Sequence, residues 1–361
     1  MGKHPQCVLL MLLLMLTGCS FNGSPLASRP LVGYVLSGNN GSEGFRHNAL
    51  TLIDARSGAV QRQIALPHSW AKNASRDPHG RLWIGFAGTL NTSDTLVQVY
   101  SPAGELLQEL RPCVAPKAGI SFAANRAFVA CSERGFSGKM VVVNLDTFAI
   151  EATIELRLPD APMLLTASAA TATAVVVAAM TSGPDDALYS VITLIDPYTL
   201  TVRAQLTPDK HTNIWRILPH QGCFYLLNVG SWRQPRAQAQ DVLVLDPSDP
   251  QKLRGLALAA APLWGVIAGE SLYTYHNPTW GLSDDSQRSI SRLDLTSGQV
   301  QTWTLPEQWN ADDLALMQGQ IILVKSGGRK DSAGLYRFDP QSGHVQLLVG
   351  VTDASQLLGS S

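Results

Sequence analysis

The chain predicts an all-β fold, a seven-bladed β-propeller with four antiparallel strands per blade. Three observations lead there. One strand–turn–strand motif is written seven times, its copies lie 43 to 52 residues apart, and 30 Gly and 21 Pro in 361 residues cut the chain into short elements. Four strands in a unit of roughly 40 to 50 residues is the period of a propeller blade. With 45% hydrophobic and only 15% charged residues, the chain is neither disordered nor a coiled coil. Lys plus Arg is 27 against 28 Asp plus Glu, which lacks the basic excess that nucleic-acid binding uses.

Residues 1–18 read as a leader: Lys3 and His4, an apolar run from Val8 to Leu16, then LTGC ending at Cys19. The run is too short to span a bilayer and suits a signal-peptide core. LTGC resembles the lipobox of bacterial lipoproteins. That resemblance implies cleavage before Cys19, a lipid on its sulfur, and a body held outside the cytoplasm on a membrane. Residues 19–30 are rich in Ser, Gly and Pro and read as a tether. The propeller is expected over 31–361.

The seven copies begin at Leu50, Leu96, Met140, Val191, Val242, Ile290 and Leu335, and their turns are anchored on Asp54, Ser101, Asn144, Asp196, Asp246, Asp294 and Asp339. Such a side chain caps its own turn, and a Gly often follows to take the left-handed corner. Two further strands precede each next copy, as in DPHGRLWIGF from Asp77 and HQGCFYLL from His220. The chain enters at Leu31 to Ser37, which matches the second strand of a blade. The tail from Val351 to Gly359 matches an inner strand, so it is predicted to complete the first blade and close the ring.

Strand order sorts the connections. Links from second to third strands, and from blade to blade, fall on one face, here called the top. The former are long and polar and are the expected interaction loops, with Arg46, His47, Arg134, Trp232, Arg233, His276 and Trp280 as candidates. Acidic residues share these loops, so a mixed solvated rim is the alternative to an anion site. The blade-to-blade links bring Trp70, Trp215, Trp264 and Trp309 to the starts of inner strands, with His68, His211, Asn213 and Asn310 nearby. These define a candidate funnel that stacks a ligand on indoles; core packing between blades is the alternative. Cys113 and Cys131 both fall at the top of the third blade and form a candidate disulfide.

The phrases DPHGRLWIG and TLIDARSGAV resemble YVTN-type and quinoprotein-like propellers over about residues 31–359. No copy carries the letters YVTN or a WD dipeptide. Quinoprotein dehydrogenases use eight blades and a repeated Trp docking motif, and tryptophylquinone relatives carry the quinone on a separate subunit, so no cofactor is expected. Seven-bladed lactonases and lyases place His, Glu or Arg around the channel; by that analogy His211, His276, Arg46 and Glu43 are the positions to watch. The histidines show no metal-ligand spacing, and no nucleophile motif is present. The sequence therefore predicts a membrane-anchored, extracytoplasmic binding module acting through its top face on a protein or small molecule, with lyase or lactonase chemistry in the funnel as the alternative.

Overall fold

The computed structural model describes residues 32–37, 48–67, 69–88, 93–132, 138–158, 163–182, 188–208, 212–230, 241–258, 261–276, 288–306, 309–325 and 333–359. Their strands form one compact unit, Leu31–Ser361. Cys19, Arg46, His47, His68, Arg134, His211, Trp232, Arg233 and Trp280 lie outside the described residues.

Seven four-stranded antiparallel sheets are arranged in a ring. The inner strands of blades 1 to 7 are Ala354–Leu358, Ala71–Arg76, Ile120–Ala123, Met163–Ala170, Ile214–His220, Pro262–Ala268 and Asp313–Met317. Blade 1 combines the two ends of the body: Ala354–Leu358 pairs antiparallel with Val32–Ser37, matching Tyr34 to Leu358 and Leu36 to Gln356. The ring is thereby closed by the C-terminal strand, as the repeat register requires.

The middle strands explain the apolar runs of the sequence. Leu82–Phe86 is buried at every position, and Val175–Ser182, which contains most of the AVVVAAM run, is buried at nearly all of its positions. Both faces of these strands pack against adjacent blades, so their sequence does not alternate. The outer strand Val60–Ala65 faces water along most of its length.

Each repeat ends in the anchored turn that its sequence specifies. Asp54 Oδ1 accepts the Arg56 and Ser57 N–H groups, Asn144 Oδ1 those of Asp146 and Thr147, and Asp294 Oδ1 those of Thr296 and Ser297. In five of the repeats the corner four residues after the anchor has positive φ, as at Gly58 with 74° and Gly343 with 73°. Phe148 occupies the same corner at 58°. Its ring packs 5.9 Å from Trp83 and beneath the Arg81 guanidinium at 5.0 Å, contacts that a glycine there cannot make.

Polar side chains stitch inner strands across the blade boundaries. Gln356 brackets Ala74, its Oε1 accepting the Ala74 N–H at 2.8 Å and its Nε2 donating to the Ala74 carbonyl at 3.0 Å. Asn73 Nδ2 donates to the Lys117 carbonyl. Thr166 Oγ1 donates to the Ile214 carbonyl at 2.6 Å, and Trp264 Nε1 to that of Ala311 at 3.2 Å.

Two measurements test this account. Leu357 is buried in the closing strand, and Leu357→Ala should cost about 2 to 5 kcal/mol in denaturant unfolding; deleting 351–361 should cost more and broaden the transition. Asp54, Asp196 and Asp294 are held below the usual carboxylate range chiefly by the N–H groups of Ser57, Thr199 and Ser297, and Asp246 and Asp339 chiefly by the hydroxyls of Ser248 and Ser342. Because folding lowers these pKa values, their stabilisation is present above the unfolded value near pH 4 and is lost as pH falls through the folded one. Replacing all five by Asn, which keeps the acceptor oxygen, should flatten the acid limb of melting temperature against pH.

Candidate functional site at the upper mouth of the channel

A cavity of about 160 Å³ lies at the top of the channel, lined by Trp70, Ala71, Lys72, Asn73, Lys117, Thr166, Trp215, Arg216, Trp264, Asp312, Asp313, Ser355 and Gln356. All seven blades contribute to it. Below it a larger cavity of about 660 Å³ continues along the channel past Arg76, Ser121, Ser168 and Leu218. Asn73, Thr166, Trp215, Arg216 and Gln356 border both and form the waist between them.

The chamber is built by bulges. A regular strand points successive side chains to opposite faces, so only alternate residues of an inner strand reach the channel. Here the register slips by one residue between Ala71 and Asn73, between Leu165 and Ala167, between Ile214 and Arg216, and between Pro262 and Trp264. In blade 1 the slip leaves Ser355 as the extra residue, because Leu36 faces Gln356 while Ser37 faces Ala354. A bulge lets neighbours in sequence share a face. Hence Lys72 with Asn73, Trp215 with Arg216, and Ser355 with Gln356 enter the chamber together.

Lys117 arrives by a different device. Cys113 and Cys131 are joined by a disulfide, with Cα atoms 6.1 Å apart, and this ties the link before blade 3 to the top of that blade's second strand. Ala115, at φ 50°, turns the link, its N–H donating to the Asp94 carbonyl at 2.6 Å and its carbonyl accepting from Ser132 at 3.0 Å. The link passes so close to blade 2 that a Cβ at position 85 would collide with the Pro116 carbonyl, which requires Gly85.

The electrostatics are mixed and strained. Asp313 is 1% exposed; its Oδ2 accepts the Leu357 N–H at 3.2 Å and its Oδ1 faces the Arg216 guanidinium at 3.6 Å. Among the described residues Oδ1 accepts no hydrogen bond. Burial pushes the Asp313 carboxyl up, against the opposing pull of Arg216 and the Leu357 N–H. Burial likewise pushes the Lys72 ammonium down, Lys117 adds to that, and Asp312 opposes it. The Lys72 Nζ lies 4.5 Å from the centre of the Trp70 ring.

Of the funnel residues expected from sequence, Trp70, Trp215 and Trp264 line the chamber. Trp309, Asn310 and Asn213 are not among its lining residues. Trp309 packs edge-on against Tyr336 with centroids 4.5 Å apart, and its carbonyl accepts the Tyr275 hydroxyl at 2.7 Å, so it joins blades 6 and 7. Asn213, in the link just before the inner strand of blade 5, is wholly buried, its backbone N–H donating to Asn228 Oδ1 at 2.9 Å. His276 was expected on an interaction loop, and the structure corrects this: it is 0% exposed. Its Nδ1 donates to the Ala261 carbonyl at 3.0 Å, leaving Nε2 to accept from Ser291 and Thr274 at 2.9 and 3.1 Å. This fully bonded core imidazole has no access to substrate.

Sequence reasoning missed Lys72, Asn73, Lys117, Thr166, Arg216, Asp312, Asp313, Ser355 and Gln356. The available signal was the charged or polar residues beside three of the four link tryptophans, as in WAKN, IWR and WNADD. Strict alternation assigns half of such a pair to the blade interior; the bulges reverse that for Lys72 with Asn73 and Trp215 with Arg216, whereas Asp312 reaches the chamber from the link just before the regular inner strand of blade 7.

Neither a family model nor a curated protein sequence matches the chain. Solved structures share the fold. A provisionally assigned 6-phosphogluconolactonase from Bacteroides uniformis superposes with a TM-score of 0.64 at 9% identity, covering 91% of this chain and 99% of that one. A second, from Bacteroides fragilis, gives 0.65 at 10%, covering 93% and 99%. Dihydro-heme d1 dehydrogenase gives 0.57 at 11%, covering 92% of this chain and 75% of its own. At such identities the likeness establishes the ring architecture alone.

Asp313 provides a test of the site's energetics. Its folded pKa is raised, so the folded state binds that proton more tightly and loses stability as pH climbs from the unfolded value to the folded one. Asp313→Asn keeps an acceptor for Leu357 and removes the buried charge. Its melting temperature at pH 7 should exceed that of the parent, and the difference should vanish at acid pH.

Proposed function

We propose that the chain is an extracytoplasmic binding module, lipid-anchored through Cys19, that takes a small polar ligand into the upper chamber between its top-face loops. The observation that carries this reading is the set of inner-strand bulges at one height. Bulges disrupt strand pairing, and they gather where a side chain has to be re-aimed. Together with the link before blade 3 and the start of the regular inner strand of blade 7, they gather three indoles, two amides, two hydroxyls, three basic groups and two carboxylates round one small cavity. Buried charge of this kind is a poor stabiliser of a fold and a common property of sites. The Cys113–Cys131 disulfide supports a location in an oxidising compartment, as does the lipobox-like LTGC.

Lactone opening is the second reading. It is favoured by the Asp313 carboxyl beside Arg216 and by the ring shared with provisionally assigned lactonases. His276 takes no part in it, being buried and fully bonded.

The binding reading is tested with a soluble form starting at Ser20, incubated with envelope extract and examined by native mass spectrometry and tryptophan fluorescence. A retained small molecule is expected, and Trp215→Ala should weaken it by about tenfold or more, the equivalent of ~1.4 kcal/mol. If Trp232→Ala weakens association while Trp215→Ala does not, the site moves to the outer loops. Turnover of a δ-lactone abolished by Asp313→Asn would establish the enzymatic reading instead.

A further inference from the structure

We propose that Lys72 forms a reversible imine with a small carbonyl compound that carries an acidic group, of the 2-oxo acid class, bound in the upper chamber. The proposal rests on the chamber being the ligand site and adds a covalent step to it.

Lys72 is the extra residue of the blade 2 bulge, and it lines the chamber that all seven blades enclose. Its Nζ makes no hydrogen bond or ion pair among the described residues and faces the Trp70 ring at 4.5 Å. The ionisable groups around it are Lys117 from blade 3, Arg216 from blade 5, and Asp312 and Asp313 from blade 7. Arg216 is directed at Asp313 at 3.6 Å. Burial lowers the Lys72 pKa below the ordinary lysine value, with Asp312 as an opposing charge and Lys117 as a like one, so the free amine is more accessible than on an exposed lysine. A desolvated lysine beside a second cation is the usual form of a carbonyl-capturing nucleophile. The cavity of about 160 Å³ has roughly the volume of one that holds a single benzene ring, so a short oxo acid fits. Lys117 supplies the positive field for its carboxylate.

The chemistry balances without a co-reactant. The Nζ lone pair adds to the carbonyl carbon, and the C=O π pair moves to oxygen, which takes a proton. The carbinolamine then expels that oxygen as water while the nitrogen pair forms C=N and the nitrogen releases its protons. Asp312, within electrostatic reach of Nζ, relays protons between nitrogen and the departing oxygen.

Reductive trapping reads the imine directly. The soluble chain is treated with glyoxylate and cyanoborohydride at pH 7, with propionaldehyde as the neutral comparator, and labelled lysines are located by peptide mass spectrometry. Lys72 should be labelled about tenfold or more faster than Lys252, whose side chain is 83% exposed, since the chamber holds the carbonyl carbon beside its amine. Glyoxylate should be preferred to propionaldehyde, and Lys117→Met should remove that preference. Lys72→Arg should keep the fold and lose the label; should it fail to fold, the labelling ratio in the parent chain still decides. Labelling of Lys72 no faster than that of Lys252 overturns the proposal. If ligand retention sensitive to Trp215→Ala persists in that case, the covalent step alone falls; if retention is absent too, the chamber reading falls with it.

Discussion

The free edge of the inner strand is the constraint from which the rest of this structure follows. Every blade turns one strand toward the channel with only a single sheet neighbour, leaving a row of main-chain groups without a ladder partner. A ring of seven such edges is stable only if it closes and if its members satisfy one another. The chain closes it by giving blade 1 its inner strand from the far end of the sequence. Side chains then supply missing partners: Gln356 acts as a surrogate strand for Ala74, while Asn73 and Thr166 donate across their own boundaries. Apolar packing between blades adds mass to these joints but no register, because the middle strands are buried on both faces and have no polar face to fix them.

The same edge makes the site possible. A strand with a single partner tolerates an extra residue at its end more readily than a middle strand bonded on both sides, so the bulges at Lys72, Thr166, Trp215, Leu263 and Ser355 fall where they are least costly. In blades 1, 2 and 5 the slip delivers two adjacent side chains to the chamber where a regular strand delivers one. Charge follows from that crowding. Asp313 and Lys72 are forced toward their neutral forms by the same walls that bring them together, and the apolar inter-blade clusters outside the chamber carry the stability that the chamber lacks.

Elements that repeat were legible from local chemistry. The anchors Asp54, Asn144, Asp196, Asp246, Asp294 and Asp339 each form the turn their side chains dictate, a contact spanning two or three residues. Trp70, Trp215 and Trp264 were legible as funnel residues because the repeat register put them at the start of inner strands. Trp309 shares that register and went elsewhere, since Tyr336 and the Tyr275 hydroxyl offered its ring and carbonyl better partners. His276 shows the reverse failure: a histidine beside a polar loop reads as surface, yet three hydrogen bonds hold it inside the sheet.

The sequence by itself determined the blade count, the strand order, the turn chemistry and the closing strand, because each depends on periodicity and on contacts between near neighbours. Only the tertiary structure decided which side chains meet at the channel mouth. That outcome depends on one-residue slips between paired strands, and a slip is an energetic compromise among an inner strand, its partner and the adjoining blades. Lys72 and Asp312 are more than two hundred positions apart, and no local pattern in either segment records that the closed ring places them on one cavity.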